Sequence, residues 1–281
     1  MRPFLLLPLF LAACASPRLP LEPVSVLELS AIRSEISADA VDVPTPNISA
    51  PFNKALVNLL GPPTEDAKEI FAGYSVTGHS VWSDNWLRGF DFSGVAWDST
   101  RAGTLITPRH VIMAKHYPRA VGSKLTFHLP NGDPLVRTLV DRQSLSITDV
   151  SIGLLDEPAT GCAVYPIMAP GYDWEKALYG AYGFVCDQER KVLLYQLTQF
   201  NDLFVGLRGS DDTTPAFMRE PLISGDSGHP AFFPYGNNQL ILLTCHWFGG
   251  AGTSGPNPSG EMIKSAIIDA VNVMDARNPQ A

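Results

Sequence analysis

The segment Ser224-Gly225-Asp226-Ser227-Gly228-His229-Pro230 holds the residue types of a nucleophilic turn. Glycines at 225 and 228 allow backbone dihedrals that other residues resist. Such a turn exposes the Ser227 oxygen and aims backbone N–H groups at one point, as an oxyanion requires. A serine hydroxyl attacks a carbonyl only with a neighbouring base, and the base needs a group to orient it. Two upstream segments offer these partners. In Thr104-Leu105-Ile106-Thr107-Pro108-Arg109-His110-Val111, His110 follows a short apolar strand. Asp149 precedes Val150-Ser151-Ile152-Gly153-Leu154-Leu155, whose alternation reads as a strand able to hold a carboxylate at its head. Asp141 and Asp156 compete for that role, but no such strand follows either. A polar surface turn at Ser227 and a strand-capping Asp149 are the plainer alternatives.

Gly-Asp-Ser-Gly at 225–228, with Pro230 after it, resembles the nucleophile motif of chymotrypsin-like (trypsin-like) serine proteases. The strand and His110, and Asp149 with its strand, resemble that family's other two motifs. The chain order His110, Asp149, Ser227 is the family's order, with intervals of 39 and 78 residues. An α/β-hydrolase would run serine, acid, histidine within G-x-S-x-G, and His229 stands where its last glycine would be. The resemblance spans about residues 74–276. It implies a serine endopeptidase that cleaves a protein or peptide substrate through an acyl-enzyme. Ser227 would attack, His110 would take its proton, Asp149 would orient His110, and the N–H groups of Gly225 and Ser227 would hold the oxyanion. By position in the family, His246, Trp247 and Phe248 would wall the specificity pocket, although core packing explains Trp247 equally well. No cofactor is implied.

Several features depart from the family. No activation sequence precedes the first strands, so Asp226 must find a cation or an N–H group elsewhere. Val111 stands where many members carry a disulfide cysteine. Glu220, Pro221 and Leu222 give no clear acid at a pocket base. A catalytically inactive binding module on the same fold is therefore the second reading.

The elements that would position these residues are short. The 281 residues include 23 glycines and 24 prolines, so turns are frequent. Strands are expected at Phe92–Trp97, Thr104–Thr107, Leu125–Leu129, Leu135–Val140, Val150–Leu155, Tyr179–Val185, Val192–Thr198, Phe204–Leu207, Ala231–Phe233 and Leu240–Trp247. Asn131-Gly132 and Tyr235 to Asn238 read as hairpin turns. Many short strands and turns argue an all-β fold, a sandwich or a barrel pair; the resemblance implies two six-stranded chymotrypsin-like β-barrels, with a C-terminal helix at Met262–Met274 and an irregular N-terminal extension. Two short helices, Phe52–Leu60 and Glu65–Phe71, lead into it, the second capped by Thr64. Val24 to Val41 fits a helix or a strand.

Composition sets outer bounds. Charged residues are 17% and hydrophobic residues 45% of the chain, which excludes a wholly disordered protein. A net charge of −8 argues against nucleic-acid binding. No CxxC pair or HExxH motif occurs, so no metal is expected. Met1 to Ala13 has the charge and apolar run of a signal peptide. Leu11-Ala12-Ala13-Cys14 resembles the bacterial lipobox, which implies lipidation of Cys14 and membrane attachment in the cell envelope; an ordinary secretory signal is the alternative. Residues 14–73 would then be a tether or pro-segment and residues 74–281 the protease domain. Export permits disulfides. Among Cys162, Cys186 and Cys245 the first two are the more plausible pair, and free buried thiols are the alternative.

Overall fold

The computed structural model describes residues 47–60, 64, 66–168, 173–209, 214–235, 238–247 and 252–279. The expected signal peptide at Met1–Ala13, Cys14, the Val24–Val41 segment and Phe248 lie outside the described residues. Two curled antiparallel sheets and a terminal helix make up the body, as the sequence leads one to expect. A strand pair, β1 (Phe71–Gly73) and β2 (Val81–Trp82), precedes them.

The first sheet contains β3 (Thr104–Leu105), β4 (His110–Ala114), β5 (Lys124–His128), β6 (Pro134–Ser144) and β7 (Val150–Leu155). Their lateral order is β3-β4-β7-β6-β5. A sixth position is taken by a single bridge, Val95 to Thr104, where the sequence suggests a full strand at Phe92–Trp97. The second sheet contains β8 (Tyr182–Cys186), β9 (Val192–Phe200), β10 (Phe204–Arg208), β11 (Pro230–Tyr235), β12 (Gln239–Cys245) and β13 (Gly252–Pro256). Its order is β12-β11-β8-β9-β10-β13. Thr244 Oγ1 donates to Pro256 O at 2.7 Å, and a Cβ on Gly255 would sit 2.1 Å from Thr244 Oγ1. The two outer strands thus meet and curl the sheet toward a barrel. Counting the Val95 bridge as a first strand, both sheets follow one cyclic order, first-second-third-sixth-fifth-fourth.

Side-chain alternation explains why β4 and β7 are apolar at nearly every position. Val111 and Met113 point into the first sheet's own core with Leu125, Phe127 and Leu139. Ile112, Ile152 and Leu154 point the other way, into a core shared with Phe184, Leu194, Phe232 and Leu242 of the second sheet. Both faces are covered, so both carry apolar residues. Each such side chain contributes on the order of 1.5–3 kcal/mol through burial. The C-terminal helix, α3 (Glu261–Arg277), buries Ile263, Ile267, Ala270 and Met274 against that shared core. Between the sheets' strands lies a short helix, α2 (Trp174–Leu178), capped by the Asp173 side chain.

The segment before residue 74 is partly built into this body. Helix α1 (Ser49–Leu60) places Phe52 against Phe233, with ring centroids 5.0 Å apart. Asn53 donates to Gly180 O at 2.7 Å and accepts from Tyr182 N at 2.8 Å. Glu65–Phe71 is not the second helix the sequence suggests. From Asp66 the chain turns and then enters β1, because Ile70 and Phe71 are drawn into the core. No helix among the described residues is long and apolar enough to cross a membrane.

The disulfide expectation is corrected. Cys162, Cys186 and Cys245 are all free thiols. Cys186 and Cys245 are fully buried in strands of the second sheet, and Cys162 packs against the core of the first. Burial pushes the Cys162 and Cys245 thiols up to about 12 and Cys186 well above the usual range, so none is a reactive thiolate.

The β5–β6 turn locks onto the strand pair. Ser80 N donates to Gly132 O at 2.8 Å, Gly132 has φ +89°, and a Cβ there would lie 2.0 Å from Ser80 O. Gly132→Ala is expected to cost roughly 1–3 kcal/mol, from the positive φ and the displaced Ser80 backbone. A shift of the urea midpoint measures it; an unchanged midpoint would contradict this docking.

Candidate active site

The register of β4 on β7 decides which histidine meets Asp149. His110 pairs with Leu154 and Ala114 with Val150. His110 and Asp149 therefore stand at opposite ends of the strand pair, five residues apart along β7, or roughly 16 Å. At Asp149's own end the chain leaves β4 through Lys115 and His116. Lys115 N donates to Asp149 O at 3.0 Å. His116 N donates to Asp149 Oδ1 at 2.8 Å, and its Nδ1 lies 2.5 Å from Asp149 Oδ2. The carboxylate holds both backbone and ring of His116, which fixes the ring's direction and places its proton on Nδ1. Nε2 is left without a protein hydrogen bond among the described residues.

His110 has a different set of partners. It is 2% exposed. Thr107 Oγ1 accepts from His110 N at 2.9 Å and from Arg109 N at 3.2 Å. With both lone pairs engaged, the hydroxyl donates its own proton to His110 Nδ1 at 2.8 Å. The imidazole proton then sits on Nε2, which faces Asp275 Oδ1 of α3 at 3.5 Å without completing a hydrogen bond. Burial lowers the pKa of His110, with Asp275 opposing the shift. Arg109 beside it donates to Asn278 O at 3.2 Å. Arg277 pairs with Asp141 at 2.9 Å. These contacts fasten the end of the helix to the first sheet.

The Ser227 turn packs against the other half of the site. Gly228 N donates to His246 O at 2.9 Å, and a Cβ on Gly228 would contact Ala114 N at 3.4 Å, two residues before His116. Gly225 and Gly228 have φ +106° and +90°, which only glycine adopts without strain. A Cβ at Gly225 would also meet Gln188 Oε1 at 2.5 Å. The N–H groups of Gly225 and Ser227 have no acceptor among the described residues. They are two free donors on either side of Asp226. Ser227 Oγ donates to Trp247 O at 3.1 Å rather than to a histidine.

Asp226 is 3% exposed and accepts from Gln188 N at 3.0 Å and Ile223 N at 2.6 Å. Backbone amides supply what the missing activation sequence left open. His229 turns inward: its Nδ1 lies 3.1 Å from Asp226 O, and its ring lies 6.2 Å from that of Trp97. It braces the turn from behind and does not crowd the serine. His246 is fully buried with Nε2 3.0 Å from Cys186 O, so its side chain lines no surface pocket. Trp247 is half-buried, its ring edge-on to Phe204 at 5.2 Å. It walls an open cleft of about 490 Å³ that begins at His116 and Asp149.

The structure thus pairs His116 with Asp149, sets the Ser227 turn against Ala114 two residues before His116, and holds His110 at the far end of β4. The sequence does carry a signal for His116. It ends the apolar run Val111-Ile112-Met113-Ala114, 33 residues before Asp149. His110 opens that strand instead, and an opening residue inherits the strand's burial. Among the described residues, Asp187, Glu189 and Glu220 are the only cluster close enough for a metal. Lys68 and Lys191 pair with Glu220 there, so the charge is already compensated.

No protein-family model and no curated protein sequence matches the chain. Among solved structures it is similar to the NS6 protease from murine norovirus 1, at 14% identity and a TM-score of 0.37 over 59% of this chain and 89% of that one. An inactive mutant of the murine norovirus NS6 protease, with a C-terminal extension, has the same identity and coverages and a TM-score of 0.36. A likeness at that level bears on no residue of this chain.

His229 and His246 make the turn sensitive to acid. Burial depresses both to about 4 from the usual 6.5. A depressed histidine stabilises the fold fully above the unfolded pKa, and that contribution is lost as pH falls through the folded one. Unfolding free energy is therefore expected to fall between pH 6.5 and 4. Urea titrations across that window measure it, and a flat profile would contradict two neutral buried imidazoles.

Proposed function

We propose that the chain is a serine hydrolase cleaving peptide bonds, with Ser227 as nucleophile, His116 as base and Asp149 as the orienting acid. The observation that carries this reading is the His116–Asp149 pair beside the Ser227 turn. His116 takes the Ser227 proton on Nε2 as Oγ bonds to the substrate carbonyl carbon. The Gly225 and Ser227 amides donate to the developing oxyanion. The proton passes to the leaving amine as the C–N bond breaks, leaving an acyl-enzyme. Water, deprotonated by His116, then releases the acid and restores Ser227. Asp149 stabilises the imidazolium in both steps. His110 has no part in these steps; its burial against α3 favours a structural role.

In the same reading, Cys14 carries a lipid that holds the domain at a bacterial envelope membrane, where protein or peptide substrates meet it. The motif Leu11 to Cys14 supports this attachment. A second reading, an inactive binding module, is favoured by one contact: Ser227 Oγ is engaged by Trp247 O and has no bond to His116.

A fluorophosphonate probe separates the two. Intact-mass analysis of the folded protein is expected to give one adduct, on Ser227. Ser227→Ala abolishes it, and His116→Ala slows it by about 10³-fold or more. His110→Asn, in its folded fraction, keeps the wild-type labelling rate within about threefold, since the residue acts on stability alone. Absence of an adduct on folded wild type would overturn the assembled hydrolase site and leave a latent site or the binding module. Loss of labelling in His110→Asn with retention in His116→Ala would return the base to His110.

A further inference from the structure

Gly225 N–H, one of the two donors of the proposed oxyanion site, belongs to the Ser224–Gly225 peptide. In a trans peptide the C=O and N–H point to opposite sides. Whatever holds Ser224 O therefore also aims Gly225 N–H. This peptide lies near the surface, with Ser224 exposed and Gly225 half-buried. Turning it over changes ψ at 224 and φ at 225. Gly225, at φ +106°, accepts either sign of φ at little cost. The residues on either side are fixed: Asp226 N donates to Ile223 O at 3.2 Å, and Ile223 N to Asp226 Oδ2 at 2.6 Å. The backbone between them offers the least resistance where a fixed direction matters most.

One side chain supplies that resistance. Gln188 Nε2 donates to Ser224 O at 3.0 Å. Ser224 O can only accept, so the nitrogen of the carboxamide must face it. Among the described residues no other hydrogen bond reaches Ser224 O. The carboxamide oxygen lies against Gly225, 2.5 Å from where a Cβ would be. Gln188 is anchored in turn. Its N donates to Asp226 Oδ1 at 3.0 Å. In the β8–β9 turn around it, Asp187 Oδ1 accepts from Glu189 N and Lys191 N, each at 2.9 Å. The chain ahead of β1 pairs with that turn: Val192 N donates to Lys68 O at 2.8 Å and Ile70 N to Arg190 O at 3.0 Å. Part of this support thus comes from outside the span 74–276 that carries the family resemblance.

We propose, resting on the hydrolase reading above, that Gln188 is a positioning residue: its carboxamide holds the Ser224–Gly225 peptide in the orientation that presents Gly225 N–H to the oxyanion. Without that bond the peptide is free to turn over, and the turned form presents Ser224 O instead. A carbonyl oxygen there repels the developing charge, so the loss falls on the transition state and spares ground-state binding.

The test follows fluorophosphonate labelling of the full chain, read as kinact and KI. Gln188→Met keeps the length of the side chain and its packing against Gly225 but has no donor; Gln188→Lys has one. Both keep the backbone bond to Asp226, so their thermal midpoints should match wild type. Gln188→Met is expected to lower kinact about 10- to 100-fold with KI within about twofold. The pH midpoint of kinact should stay in place, since His116 and Asp149 are untouched. Gln188→Lys is expected to recover most of the loss. The Gly225 amide, a single 15N–1H resonance in wild type, should broaden or split in Gln188→Met as the peptide samples both faces. Wild-type kinact and an unchanged Gly225 resonance in Gln188→Met would overturn the role of Gln188 and leave the hydrolase standing. A loss that Gln188→Lys does not recover, or that comes with a lowered thermal midpoint, would do the same. No adduct on folded wild type would overturn the assembled site and this inference with it.

Discussion

The antiparallel register between β4 and β7 is the constraint on which the rest depends. Ala114 opposite Val150 brings Lys115 and Asp149 together at one end of the pair, and the next residue, His116, swings over the carboxylate. The same register carries His110 to the far end, under α3. A slip of one residue would exchange Val111 and Met113 with Ile112 between two cores that are both already filled. Two cores of different shape thus hold one strand in place, and the His116–Asp149 geometry inherits that precision. Hydrogen bonds alone would allow neighbouring registers; packing on both faces does not.

The serine side of the site is held by the second sheet in another way. Here the backbone itself is unusual, with two positive-φ glycines in four residues. It is fixed by polar groups that face inward. Asp226 draws in the amides of Gln188 and Ile223, His229 supports the Asp226 carbonyl, and His246 closes the turn through Gly228 N and His229 O. Asp226, His229 and His246 are themselves buried, so their bonds are made largely away from water. Among the described residues, Gly225 N and Ser227 N are left with no acceptor.

Much of this was legible in the residues. The all-β class, the Asn131-Gly132 hairpin, the β7 strand behind Asp149 and the terminal helix follow from local turn chemistry and periodicity. So do the glycine-bounded serine turn and its free amides. The choice of histidine was not legible in the same way. His110 and His116 both flank the run Val111 to Ala114, and propensity does not say which end of a strand meets a distant aspartate. Pairing with β7 settles that, and pairing is non-local. The helix suggested for Glu65–Phe71 failed for a related reason: tertiary burial of Ile70 and Phe71 outweighed a weak helical preference. The Cys162–Cys186 pairing is not made: Cys162 packs against the first sheet's own core and Cys186 lies in the shared one.

Asp226 is satisfied by amides of its own fold. In the proposed hydrolase reading, Asp226 needs no charge supplied by a freed amino terminus, since the Gln188 and Ile223 amides already hold it. Restraint on such a hydrolase would come from supply: what reaches the site, and when.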